Sequence, residues 1–232
     1  MRPPIYKPKG AAGEYAEDGF ALNIYDGCPH ACAYCYVPKV LHKDRAQFHA
    51  SVTPRPNIVE EVRKQLNKEQ ITGKTIFLCF TCDPFPWGYD HTPTLEIINL
   101  LKEHGNHVQL LTKGDGSDAL DLLDENDWYG ITLDQLEDGN SPRWKARVDA
   151  LAEANSRGIM TWVSFEPVTD SKRFFWELHL VAPVVDRVKI GKLNYSPSDI
   201  DWKDFGIKAE ALCQKLGLDY YIKDSLRREI EK

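Results

Sequence analysis

Six cysteines occur in the 232 residues, and three of them, Cys28, Cys32 and Cys35, crowd into one short segment with C-x3-C-x2-C spacing. Random placement of six cysteines produces such a triple in about four chains per thousand, so the spacing calls for a cause. Three thiolates on one loop can hold three irons of a [4Fe–4S] cluster and leave the fourth iron open to a substrate or cofactor. A structural zinc site would want a fourth ligand, which His30 could supply. However, His30 lies between two of the cysteines, where its ring must fold back over its own turn. A second pair, Cys79 and Cys82, has the C-x-x-C spacing of a redox dithiol. Such dithiols usually precede a helix N-terminus that lowers the thiol pKa, whereas Pro84 and Pro86 follow here. Cys213, between Leu212 and Leu216, reads as a small buried hydrophobe.

Composition bounds the rest. Hydrophobic residues make up 42% and charged residues 28%, enough apolar material for a real core. The net charge of −6 argues against a general polycationic nucleic-acid binder. No apolar run approaches the roughly 20 residues that span a bilayer, and MRPPIYKPKG lacks the apolar stretch of a signal peptide. A cytoplasmic protein with no membrane partner is expected, where clustered thiols suggest metal over disulfides.

The elements that must position these cysteines alternate. Residues 1–20 read as an extended N-terminal arm, and residues 21–232 as a single domain. Apolar runs at Ala21–Tyr25, Thr75–Phe80, His107–Lys113, Trp128–Leu133, Met160–Glu166 and Arg187–Gly191 predict strands. Helical spacing intervenes from Ile58 to Leu66, from Leu95 to Leu101, and over Phe174–Leu180. Ser117 predicts the cap of a short helix through Leu122. Ser141 with Pro142 predicts a helix start, and Gly158 its stop. A further helix is expected around Ala209–Leu216. Strand-then-helix units in succession imply an α/β fold with a parallel sheet, and continuous apolar strands suit a sheet buried on both faces. Two architectures fit, an open doubly wound sheet and a partial β/α barrel, and in β/α barrels chemistry collects at the C-terminal strand ends. Asp83, Lys113, Thr132, Glu166 and Asn194 all fall there, beside the cysteine loop.

The triple, with Tyr34 immediately before its third cysteine, resembles the signature of radical S-adenosylmethionine (SAM) enzymes. The flanks Gly13-Glu14-Tyr15, Leu22-Asn23-Ile24-Tyr25-Asp26-Gly27 and Tyr34-Cys35-Tyr36 are similar to the spore photoproduct lyase-like branch. So are Thr81–Pro84, Leu111–Lys113, Ile131–Asp134, Ser141–Arg143, Ser164–Pro167 and Val188–Gly191. The resemblance covers about residues 12–192. It implies a partial (β/α)6-type barrel, with a [4Fe–4S] cluster on Cys28, Cys32 and Cys35 and S-adenosyl-L-methionine on the open iron. One electron, from an external donor of flavodoxin or ferredoxin type, would cleave a carbon–sulfur bond of the cofactor. The resulting 5′-deoxyadenosyl radical would abstract hydrogen from a nucleic-acid-related substrate.

By the same resemblance Tyr34 packs near the adenine and Lys113 meets the cofactor carboxylate or ribose. Thr81, Cys82, Asp83 and Thr132 are candidates for its ribose or amino group, and Arg143 and Glu166 for contacts at the site. In the lyases a Cys-Thr-Ser-Asp run follows the second strand, and its cysteine returns the hydrogen. Here the run is Phe80-Thr81-Cys82-Asp83, which argues against repair of thymine dimers and leaves Cys82 as hydrogen donor or as packing group. Strand alternation places Cys82 at the barrel mouth and Cys79 against a helix. The competing reading is a non-catalytic iron–sulfur or zinc protein in electron transfer or nucleic-acid binding, with Lys39, Lys43, Arg45 and Arg55 touching phosphates.

Overall fold

A computed structural model of the chain describes residues 3–136, 139–194 and 196–232. Met1 and Arg2 of the expected arm lie outside the described residues. The chain opens with β1 (Ile5–Tyr6), β2 (Phe20–Leu22) and β3 (Tyr25–Asp26), then α1 (Val37–Val40), α2 (Arg45–Ala50) and β4 (Thr53–Pro54). Helix α3 (Ile58–Glu69) precedes β5 (Thr75–Leu78), and α4 (Thr92–Glu103) precedes β6 (His107–Thr112) and β7 (Trp128–Thr132). Next come α5 (Trp144–Ser156), β8 (Met160–Val168), α6 (Ser171–Val181) and β9 (Arg187–Lys192). Helix α7 (Trp202–Leu216), β10 (Asp219–Ile222) and α8 (Asp224–Ile230) complete the order. The main sheet runs β1-β2-β5-β6-β7-β8-β9-β10. It is parallel from β2 to β10, with β1 antiparallel on one edge. Its two edge strands, β1 and β10, do not pair with each other, so the barrel is partial. No helix among the described residues is long and apolar enough to cross a membrane.

The strands bury both faces, but the faces differ in chemistry. Ile76, Leu78, Val108, Leu110, Tyr129, Ile131, Val163, Phe165, Val188 and Ile190 point outward into the core under the helices. The alternate positions face the lumen: Ala21, Phe77 and Trp162 form a small second cluster with Ala16, joined by Ser164, Glu166 and Lys189. Period 2 therefore carries the whole barrel, with an apolar outer face and a mixed inner one. That mixture replaces the uniform apolar runs expected from the sequence.

The expected extended arm supplies a strand, a 3-10 turn (Gly10–Glu14) and the lumen's filling. Glu14 accepts the Asp224 N–H (3.2 Å), the Gln109 side chain accepts the Glu17 N–H (3.1 Å), and Asp18 accepts the Thr75 N–H (2.7 Å). Residues 14–18 thus cross from the end of β10 to the start of β5. The Tyr15 ring packs on Phe77, Phe80 and Trp162. Lys189 donates to the Glu14 and Tyr15 carbonyls (3.0 and 3.1 Å).

Three helix expectations shift. Ser117 begins only a three-residue 3-10 turn, too short to nucleate a helix, so β6 and β7 have no helix between them. Helix α5 starts at Trp144, with Arg143 extended at its N-cap, two residues after the expected N-cap Ser141. Helix α7 starts seven residues before Ala209, where Asp201 accepts the Lys203 and Asp204 N–H groups (3.1 and 3.0 Å).

Gly130 in β7 lies under the Trp162 indole, whose N–H reaches across to the Leu110 carbonyl (2.9 Å). A Cβ there would sit 2.1 Å from the indole nitrogen and 2.7 Å from that carbonyl. Gly130→Ala should cost about 1–3 kcal/mol in urea unfolding, whereas Gly13→Ala, with nothing within 4 Å, should be close to neutral. Burial, reinforced by Arg187 and Lys223, lowers the Lys189 ammonium to about 8 despite Glu17. An unfolded lysine titrates near ~10.4, so between these values the unfolded chain holds more protons and stability rises with pH. Denaturation midpoints of the native protein should therefore gain on those of Lys189→Met between pH of about 7.5 and 9.5.

Candidate metal centre and the groups around it

The cysteines lie on an excursion whose ends are zipped together by β3 and β4, with Tyr25 opposite Pro54 and Asp26 opposite Thr53. Helix α2 clasps its contents. The Phe48 carbonyl accepts the Cys28 N–H (3.3 Å), and the His49 ring contacts the Cys28 carbonyl (2.8 Å). Gly27 makes this approach possible: its φ is +90°, and a Cβ would lie 2.0 Å from the Ser51 carbonyl oxygen. Cys35 donates its N–H to the Cys32 carbonyl (2.9 Å), closing a turn that leads into α1.

All three thiols are partly exposed and free of disulfides. Burial and the nearby Asp83 push Cys28 well up, and burial pushes Cys35 up, while the His30 and Val37 N–H groups favour their thiolates. Three thiolates on one zinc ion stand about 3.8 Å apart, as its ~2.3 Å bonds require. Here the three sulfurs do not gather within 4.8 Å of one another. Among the described residues only His107, Asp124 and Asp127 bring three possible ligand atoms that close. Lys102 already pairs with both of those carboxylates. An all-thiol, wide-set donor group fits an iron–sulfur cluster.

His30 does not turn toward the cysteines. Its ring is buried, with Nδ1 against the Asn140 carbonyl (2.9 Å) and Nε2 3.2 Å from Asp83 Oδ2. Asp83 is itself buried and saturated: Oδ1 accepts the Phe85 N–H and the Thr112 hydroxyl (2.8 and 2.6 Å), and Oδ2 the Lys113 N–H (2.8 Å). Burial raises its carboxyl, but His30 and these donors outweigh it and leave it low. Asn23, just past the end of β2, has a similar role, accepting the Phe80 and Thr81 N–H groups (2.7 and 2.8 Å).

Lys113 lies beside the loop. Its ammonium is 2.6 Å from Asp134 Oδ2 and 3.6 Å from Cys32 Sγ, and both partners of the ion pair are buried. The Tyr34 hydroxyl donates to the same carboxylate oxygen. Burial and Asp134 hold that phenol protonated. Cys32, Tyr34, Lys113 and Asp134 thus form one group at the ends of β6 and β7, with Thr132 adjoining it in sequence.

Other expected site residues sit elsewhere. The Thr81 hydroxyl accepts from Arg55 (3.3 Å), and Arg143 is exposed. Glu166 faces the lumen, paired with Lys223 (2.8 Å) and receiving the Tyr15 hydroxyl. Asn194 lines a groove of about 550 Å³ with Lys192, Ser198 and Trp202.

Cys79 and Cys82 correct the alternation argument. The strand ends at Leu78, and Cys79 has a φ of +141°, so the chain turns and a hydrogen bond joins the two free thiols, with Cys79 buried in the outer core as expected. Cys82 accepts the Tyr25 N–H (3.4 Å) and packs with the outer core, while Phe80 stacks on Phe77 in the lumen at 4.3 Å. Asp134, Asn23 and Tyr15 carried no signal beyond their place in the fragments that bear the resemblance, because their partners are distant in sequence.

A sequence profile of the radical SAM superfamily matches residues 22–169. An uncharacterized protein of Acidianus two-tailed virus is 30% identical over 198 residues, 72% of this chain and 64% of that protein. An uncharacterized protein of Mycobacterium tuberculosis is 28% identical over 100 residues, 41% of this chain and 29% of that protein. The chain therefore spans less than two thirds of the length of these relatives. By fold, spore photoproduct lyase complexed with a dinucleoside spore photoproduct matches with TM-score 0.64 at 13% identity, over 89% of this chain and 76% of that one. Streptococcus suis SuiB bound to S-adenosylmethionine matches with TM-score 0.64 at 11% identity, over 87% of this chain and 50% of that one. At these identities the likeness is one of fold.

The buried Lys113–Asp134 pair yields a stability test. Asp134→Asn or Lys113→Met alone leaves a buried charge and should cost about 3–5 kcal/mol. The double variant should cost clearly less than the two together. Additive losses in urea unfolding would show that the two groups do not interact.

Proposed function

The chain belongs to the radical SAM superfamily of enzymes, and from that premise we propose that Cys28, Cys32 and Cys35 hold a [4Fe–4S] cluster whose open iron takes S-adenosylmethionine. When bound, these groups supply reductive cleavage of a carbon–sulfur bond and a 5′-deoxyadenosyl radical that abstracts hydrogen from substrate. The observation that carries this reading is the convergence of Tyr34, Lys113 and Asp134 on Cys32 at the C-terminal strand ends.

In this reading the chain's own residues divide by what they touch. Lys113 and Tyr34 reach the cofactor, with Thr132 beside them on β7. Asp134 orients both, accepting from the ammonium and the phenol. Asp83, Thr81 and Cys82 act at one remove, since the first two are engaged by the chain's own donors and Cys82 by Cys79. Cys82 is then a packing group for the cofactor loop. Glu166, with Tyr15 and Lys223, forms the lumen wall that meets substrate, and Arg143 reaches bound molecules only from the rim. A nucleic-acid-related substrate is supported by the exposed rings of Tyr36, Trp87 and Tyr89 on loops following the cysteines and β5, which offer faces for base stacking. The electron comes from an external carrier of flavodoxin or ferredoxin type.

Anaerobic reconstitution with iron and sulfide, then dithionite and S-adenosylmethionine, should yield 5′-deoxyadenosine by chromatography. Replacing Cys28, Cys32 or Cys35 by Ala should abolish the brown chromophore and that product together, while Cys213→Ala keeps both. A Cys32→Ala protein that still assembles the full cluster and releases 5′-deoxyadenosine would falsify the assignment.

A further inference from the structure

The basic residues that follow the cysteines do not form a free phosphate-binding patch. Lys43 and Arg55 lie 3.8 and 3.6 Å from Asp26. Arg45, the first residue of α2, turns back over the cysteine loop. Its Nη2 donates to the Cys32 carbonyl (2.5 Å) and its Nη1 to the Cys35 carbonyl (3.1 Å). The Ala31 and Ala33 carbonyls stand farther off, at 3.4 and 3.5 Å. Two sound hydrogen bonds and two longer contacts thus gather one loop's carbonyls onto one cation.

Building on the cluster assignment above, we propose that Arg45 is a positioning residue for the metal centre, holding the carbonyl side of the Cys28–Cys35 loop outward and raising the reduction potential of the cluster on its other side. A trans peptide points its N–H opposite to its carbonyl. With the Cys32 and Cys35 carbonyls fixed on the guanidinium, the N–H groups of Ala33 and Tyr36 point away from it. The thiols already receive such donors, from His30 at Cys28 and from Val37 at Cys35. Hydrogen bonds to sulfur and nearby positive charge both favour the reduced, more negative cluster. Arginine suits the task because its planar fork spans two acceptors at once, where a lysine offers a point charge. The other contacts of α2, through Phe48 and His49, reach only Cys28. Arg45 serves the Cys32–Cys35 end.

The test is a redox titration of the reconstituted holoenzyme, followed by electron paramagnetic resonance, with iron content measured beside it. At a fixed solution potential near the midpoint, Arg45→Gln should lower the reduced-to-oxidised ratio about tenfold, equal to 59 mV for one electron. Arg45→Lys should fall between it and the native protein. Lys39→Gln removes an equal charge that makes no contact with these carbonyls, and should titrate like the native protein. An unshifted Arg45→Gln overturns the proposal, and so does an equal shift in Lys39→Gln, which would make the effect one of charge alone. If Arg45→Gln loads no cluster, hydrogen exchange on the metal-free proteins decides. Residues 28–36 should then exchange faster than in the native protein while β6 does not change, and unaltered exchange in 28–36 overturns the clamp. A native protein that takes up no cluster would instead sink the cluster assignment itself, and the exchange result would still judge Arg45.

Discussion

One buried carboxylate ties the site to the barrel. Asp83 has His30 Nε2 of the cysteine loop 3.2 Å away and accepts the Phe85 N–H from its own turn and the Thr112 hydroxyl with the Lys113 N–H from the end of β6. An anion in so dry a position is tolerable only with every lone pair answered. Meeting that demand fixes three neighbouring segments relative to one another. Because the Lys113 backbone is held there, its side chain is aimed at Asp134 and Cys32. The position of the cationic group beside the thiols thus follows from the need to satisfy a different, hidden negative charge.

Around that junction the molecule separates two tasks. The outer strand faces and the helices supply the apolar core. The inner faces carry Ser164, Glu166 and Lys189 around Tyr15, so the lumen is chemically mixed yet full. Burial of aromatic rings offsets the cost of the enclosed charges, and those charges are paired or bonded to backbone. The residues nearest the thiols gather on the loops after β2, β6 and β7, whereas Glu166 and Lys223 face them from the loops and strands of the other half. Under the proposed function the cofactor lies on the first side of the mouth and the substrate on the second.

What could be read from the chain alone was what depends on spacing. The cysteine triple, the strand-and-helix alternation and the placement of Lys113 and Thr132 at strand ends are local patterns; the family bears out the resemblance the triple carries, and the fold bears out the alternation and the strand ends. Three features escaped because their causes are not local. The turn at Cys79 breaks the alternation that would have separated it from Cys82. Asp134 matters only because Tyr34 and Lys113 converge on it from segments 100 and 21 positions away in sequence. Arg45, expected with its basic neighbours to touch phosphates, turns to the loop's carbonyls because α2 folds back on the loop. Residues 14–18 have no periodicity for a related reason: between them they contact β5, β6, β8, β9 and β10 instead of laying one face on one element.

The threading of that arm sets an order on how the molecule comes into being during translation. Glu14 bonds to the backbone of Asp224, 210 positions later, and the Tyr15 hydroxyl reaches Ser164 and Glu166, about 150 positions later. At roughly 5–20 residues per second on the ribosome, residues 14–18 wait on the order of 10–40 seconds before their last partners exist. The cysteine loop, whose clasping helix lies within twenty residues of it, has no such wait. The segment that fills the lumen is therefore made long before the partners at β10 and the start of α8 that complete its contacts.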